Sequence, residues 1–164
     1  MTALFELDSA DTGSAVLSAD ATYRYRLVRQ WGPGPRATFV MLNPSTADAT
    51  ADDPTIRRCM GFPRSWGLDC IVVVNLYAYR STDPRALWTA ADPVGPDNDR
   101  HLRLAAADPG PLVAAWGAHA RQDRVDQVLA LPGFDRLQAL GRTRAGAPRH
   151  PLYLRADSTL EVWP

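Results

Sequence analysis

The chain has 164 residues, 18 basic and 18 acidic side chains, a net charge of zero and 46% hydrophobic residues. That length and composition fit one globular domain, 1–164, able to bury most of its apolar surface, and the charge balance gives no global basic field of the kind that announces nucleic acid. Two cysteines, Cys59 and Cys70, are too few for a disulfide framework, a four-thiolate zinc site or an iron–sulfur cluster, and are expected as small buried apolar residues.

Every basic residue is arginine, and Glu6 and Glu161 are the only glutamates. A phosphate contact would therefore use a forked guanidinium, and a carboxylate in a central site would be an aspartate. No apolar run approaches the ~20 residues of a membrane span, and the N-terminus lacks the charged start and apolar core of a signal peptide. A cytoplasmic protein with no membrane partner is expected.

Along the chain, residues 1–14 are small and polar and are expected to be loosely held. "TYRYRLVRQW" (Thr22–Trp31) alternates aromatic or apolar residues with arginine, the pattern of a half-exposed strand, closed by "GPGP". Four apolar runs of strand length follow: 37–42, 70–75, 111–116 and 136–141. The second, "CIVVVN", is β-branched on successive positions, as in a parallel strand covered on both faces. Asp53 is placed to cap a helix that starts on Pro54 and is bent or shortened by Pro63. Asp97 or Asn98 caps a second helix. A third, over "AHARQDRVDQVLAL", puts Ala118, Val125, Val128 and Leu129 on one face. Alternating strands and helices at this spacing predict an α/β fold: three layers around a central four-stranded, mostly parallel sheet, with N-terminal antiparallel strands.

Ligands of open parallel sheets bind outside the carboxyl ends of the strands. Here those ends carry Asn43-Pro44-Ser45, Asn75, Gly117–His119 and Gly141-Arg142 leading to "GAPRHP". Asn43 and His150 are the candidate catalytic residues and Asn75 the candidate base reader. Ser45, Thr46, Arg57, Arg58 and Arg149 are the phosphate candidates. Asp48, Asp52 and Asp53 raise the question of a metal, but they lack an EF-hand spacing and a companion glutamate. Capping by Asp53 is preferred, with no metal and no cofactor expected. His101 reads as a helix-surface residue, His119 as a surface or packing residue, and the tryptophans as core or interface.

"MLNPSTADATADDPTIRR", "VVNLYAYRSTDP", "DPVGPDND" and "PRHPLYL" resemble a bacterial and phage family of unknown function, from about residue 20 to the end. More distantly, the series is similar to the uracil-DNA glycosylase superfamily. Its members carry Asn-Pro or a variant after the first core strand, an asparagine ending the second, a strand-to-helix turn with glycine, and a late His-Pro. Asn43-Pro44, Asn75, "AWGAHA" and His150-Pro151 stand in that order here. The resemblance implies hydrolysis of an N-glycosidic bond to a modified or deaminated base, with a nucleic acid or nucleotide as partner. Asn43 would orient water, Asn75 would read the base and His150 would donate to the departing base oxygen. The chain departs from the pattern at Met41-Leu42, where the superfamily has glycine, and in lacking a Phe or Tyr within 43–58. Two alternatives stay open: a non-catalytic module binding a nucleotide or modified base, and a partner-binding protein of phage or mobile-element origin.

Overall fold

Seven strands form one mixed sheet in the computed structural model, which describes residues 12–164. The chain enters on β1 (Thr12–Leu17) and β2 (Arg24–Gln30), then runs through β3 (Arg36–Met41), β4 (Cys70–Asn75), β5 (Leu112–Ala114) and β6 (Gln138–Ala139), and ends on β7 (Glu161–Val162). Their order across the sheet is β1-β2-β4-β3-β5-β6-β7. The pairs β4–β3, β3–β5 and β5–β6 are parallel, so the four apolar runs make the parallel centre. The pairs β1–β2, β2–β4 and β6–β7 are antiparallel.

The sheet is therefore wider than the four strands plus N-terminal additions expected from the sequence. Only two exposed residues make up β7, with no alternation to betray it. β1 takes in residues 12–14, which were expected to be loose; the rest of that expectation lies outside the described residues.

Side-chain alternation sends the two faces of the central strands into two separate cores. Ala37, Phe39 and Met41 of β3 join Ile71 and Val73 of β4 against Ile56, Cys59 and Phe62. Those three come from helix α1 (Pro54–Ser65). On the other face, Val40, Val72 and Val74 meet Leu102 and Ala105 of helix α2 (Asn98–Ala106) and Val125 and Val128 of helix α3 (Gln122–Leu129). Covering on both faces explains why β4 is buried at every position. Both cysteine thiols are free and buried in these cores, and desolvation pushes the Cys59 thiol up to about 12. Among the described residues no helix is long and apolar enough to cross a membrane.

Of the three α-helices only α1 has a side-chain cap; Asp97 precedes α2 but makes no capping hydrogen bond, and Asn98 is already its first residue. Asp53 caps α1 through Oδ1, which accepts the Ile56 N–H at 2.8 Å, and Pro54 takes the first helical position. The helix continues through Pro63, which falls in its last turn. α3 begins at Gln122, later than its apolar spacing suggested, because Gly117 at φ +77° turns the chain first. Ala118 is left exposed outside the helical face. His101 is buried rather than a helix-surface residue, its ring stacked on Tyr25 at 5.1 Å and 9°.

Phe62 is the pillar between α1 and the sheet, with ring centroids 6.4 Å from Phe39 and 6.2 Å from Trp66. Phe62→Ala is expected to cost about 3–5 kcal/mol of folding stability, read from urea denaturation. A loss below about 1 kcal/mol would show that the aromatic cluster does not hold α1 in place.

Candidate active site

β3 lies beside β5, and the chain leaves β3 toward β4 but leaves β5 toward β6 on the opposite side, so the crevice beyond these strand ends is the place where an open parallel sheet takes ligands. A cavity of about 490 Å³ opens there. Its walls are the segment after β3 (Leu42–Ser45), the last residue of β4 (Asn75), the segment after β5 (Trp116–His119), the start of α1 (Asp53, Thr55, Ile56) and the late loop with Arg149 and His150.

Asn43 is locked by its surroundings. Its Nδ2 donates to the carbonyls of Ser81 at 2.9 Å and Pro44 at 3.1 Å. Two carbonyls on one nitrogen fix which end of the amide is which, since only the NH2 end donates. Oδ1 therefore remains as an acceptor, with no donor among the described residues.

Asn75 is 1% exposed, and neither Oδ1 nor Nδ2 has a partner among the described residues. A buried amide without partners is rare and costly. Its backbone is held from behind. Asn98, the first residue of α2, donates through Nδ2 to the carbonyls of Asn75 at 2.9 Å and Leu76 at 3.1 Å. Arg124 of α3 donates through Nε to the same Leu76 carbonyl at 2.8 Å and pairs with Asp99 at 2.7 Å. The strand end is clamped while the side chain faces the cavity with both hydrogen-bonding ends unused.

His150 precedes a 3₁₀ turn, Pro151–Tyr153, and its Nδ1 accepts the Leu152 N–H at 3.2 Å. Acceptance at Nδ1 requires a lone pair there, so the neutral ring carries its proton on Nε2. Burial lowers its pKa below the ordinary 6.5, opposed by the charge of Asp53. The ring is thus a neutral donor near pH 7. Gly117 lies against it, and a Cβ there would make ordinary contact at 3.5 Å with the His150 Cβ, so the glycine answers to its φ of +77° and not to space.

Of the phosphate candidates, Ser45 and Arg149 line the cavity, whereas Thr46, Arg57 and Arg58 do not. Arg58 is engaged elsewhere, donating to the carbonyls of Pro151 and Leu154 with its guanidinium over the Phe62 ring. Arg57 is exposed and reaches the Asp52 carbonyl at 3.5 Å. The three neighbouring aspartates have separate tasks. Asp48 closes its own loop onto the Thr50 and Ala51 N–H groups, Asp52 pairs with Arg29 at 2.7 Å, and Asp53 caps α1. Among the described residues no group of three or more His, Cys, Asp or Glu converges.

Several lining residues had no functional assignment from the sequence, among them Arg24, Asp53, Trp116 and His119. Arg24 reads as the outward half of an alternating strand, yet is 2% exposed. Asp53 is both the cap and a cavity wall. Trp116 packs edge-on against Trp163 with centroids 5.0 Å apart. It closes the run "PLVAAW", a strand-end position that could have marked it. His119 is exposed at the rim, ahead of α3 rather than within it.

A family model for proteins of unknown function matches residues 24–152, a span that includes nearly every wall of the cavity. The chain belongs to the DUF1643 family. No curated protein and no solved structure matches it.

Two outcomes test this geometry. Asn98→Leu removes the side-chain donor to the Asn75 carbonyl, leaving Leu76 with Arg124 alone, and is expected to cost about 1–3 kcal/mol, measured by thermal or urea unfolding. His150 and His101 both have pKa values lowered by burial. Below about pH 6.5 the unfolded chain takes up protons that the folded one resists, so stability falls as pH drops below that value and is insensitive to these groups above it. His150→Gln is expected to reduce that acid slope. An unchanged slope would show that His150 is as accessible to protons when folded as when unfolded.

Proposed function

We propose that this DUF1643 protein hydrolyses an N-glycosidic bond to a modified or deaminated nucleobase, in a nucleic acid or a nucleotide. The proposal includes the three-layer arrangement of the uracil-DNA glycosylase superfamily. One observation carries it: Asn43, Asn75 and His150, far apart in sequence, line a single cavity at the carboxyl ends of the parallel strands, each with an unused hydrogen-bonding atom suited to a different task.

Bond cleavage leaves positive charge on the sugar and negative charge on the base. Asn43 Oδ1, fixed by the Ser81 and Pro44 carbonyls, accepts from the attacking water and orients it. Asn75 offers one acceptor and a pair of donor hydrogens to the base edge, and pairing them relieves a buried amide. The His150 Nε2–H donates to the oxygen that gains charge as the base leaves, a preorganised donor that contributes roughly 3–4 kcal/mol. Asp53 places negative charge on the wall facing the cationic sugar, and Trp116 and Tyr153 supply aromatic surface. Ser45 and Arg149 are the phosphate contacts. A cytoplasmic setting belongs to the same proposal, in keeping with two unpaired cysteines.

A second reading, a module that binds a nucleotide or modified base without turnover, is favoured by Met41-Leu42 in place of glycine and by the lack of a Phe or Tyr within 43–58. Net charge is zero, and Arg57 and Arg58 stand outside the cavity. Both readings therefore favour a compact ligand over tight duplex binding.

The test is chromatographic detection of free base after incubation with single- and double-stranded oligonucleotides carrying altered bases, and separately with nucleotides. Base release is expected, reduced ~100-fold or more by Asn43→Ala. Equal release by Asn43→Ala sinks the mechanism. Saturable thermal stabilisation by a nucleotide without release from any substrate replaces hydrolysis with the binding reading.

A further inference from the structure

Arg24 opens β2, which runs antiparallel beside β4, so its side chain reaches the cavity next to the end of the strand that carries Asn75. It is 2% exposed. Its Nη1 donates to the Ala47 carbonyl at 2.9 Å, and its Nε has no acceptor among the described residues. The other buried arginines are treated differently. Arg29 pairs with Asp52 and Arg124 with Asp99, both at 2.7 Å, and Arg29 also donates to three carbonyls. No such carboxylate pairs with Arg24 among the described residues.

A guanidinium is always charged, and burying it with one acceptor for its fork is expensive unless an anion completes it. The nearby charges do not neutralise it: Asp53 and Asp48 favour the cation, while Arg80 and Arg29 oppose it. Burial lowers its pKa to about 10, which still leaves it protonated at neutral pH.

We propose that Arg24 is a ligand-binding residue and that the cavity takes a ligand carrying an oxyanion, a carboxylate or a phosphate, beside the polar edge read by Asn75. The inference rests on the cavity being the ligand site of the proposed function, and it adds what that ligand must carry. Two features of one cavity support it: a buried cation with unused donors, and a buried amide with both ends unpaired. A neutral base edge satisfies Asn75 alone. An oxyanion-bearing one satisfies both, and the forked donor gives the pairing a directional preference that a surface arginine lacks.

Calorimetric titration of the intact protein with matched pairs tests this: uracil against uracil bearing a ring carboxylate, and uridine against uridine 5′-monophosphate, with inorganic phosphate alone as a further probe. At least one oxyanion probe is expected to bind tenfold or more tightly than its neutral partner, and the pair showing the gap identifies carboxylate or phosphate as the source. Arg24→Gln is expected to shrink that gap to within a few-fold, with folding checked by circular dichroism. Where Arg24→Gln does not fold, Arg24→Lys, which keeps the charge but removes the fork, is expected to narrow it in part. Neutral and anionic probes binding equally, no saturable binding by any oxyanion probe, or a gap untouched by the Arg24 variants overturns the proposal. So does a gap lost in Arg149→Gln and kept in Arg24→Gln. Release of a base with no preference for an oxyanion overturns this inference and leaves hydrolysis standing; an oxyanion preference without base release does the reverse.

Discussion

The two carbonyls at the end of β4, those of Asn75 and Leu76, are the point on which the site depends. They receive Asn98 from α2 and Arg124 from α3, one from each helix on that face. On the other side of the chain the Leu76 and Tyr77 N–H groups donate to Met41 and Leu42, extending the β3–β4 ladder past the strand end. Backbone groups buried at a strand terminus need partners, and here the partners are side chains from the first turn of each helix. The result is a rigid platform from which the Asn75 amide projects. Leaving that amide unpaired costs free energy, and the Asn98 Oδ1 behind it is likewise without a partner among the described residues.

A second device recurs around the fold. Arginines bind backbone carbonyls of loops that have no ladder of their own. Arg29 gathers the Asp48 and Ala51 carbonyls, Arg58 those of Pro151 and Leu154, and Arg136 those of Ala106, Asp108 and Gly110. Hydrogen bonds from a charged donor contribute about 1.5–3 kcal/mol each, and a planar fork serves two carbonyls at once. In two cases the loop held this way adjoins a wall of the cavity. Arg29 steadies the approach to Asp53, and Arg58 steadies the turn after His150. These arginines act on the pocket through its walls, which accounts for basic residues near the Asn-Pro turn that do not face the ligand space.

How much of this was legible follows from the range of each interaction. The α1 start at Asp53-Pro54 and the four parallel strands rest on neighbours in sequence and on hydropathy, both visible in one dimension. The placement of Asn43, Asn75 and Ser45 at strand ends follows from the same pattern and from the rule that parallel sheets bind ligands there. Arg24 was not legible: on an alternating strand its parity looks outward, and a register shift beside it, where Val16 pairs with Arg26 but Leu17 with Arg24, breaks that alternation. His101 was missed for the same kind of reason, since the Tyr25 ring that covers it lies on a distant strand. Nor could composition separate Arg149, at the cavity, from Arg58, behind it.

By itself, then, the sequence determined the alternation of strands and helices, the two-sided burial of the central strands, the cap of α1 and the set of polar residues at the strand ends. Each of these depends on residue type and local spacing. Only the tertiary structure decided that the sheet has seven strands, that those polar residues share one cavity, and which of their atoms remain free. A hydrogen-bonding atom is free or engaged according to what packs against it: Ser81, thirty-eight residues away, for Asn43, and nothing among the described residues for Asn75. The His150 partner, the Leu152 N–H, is local, but the other two outcomes depend on long-range packing, which no local pattern encodes.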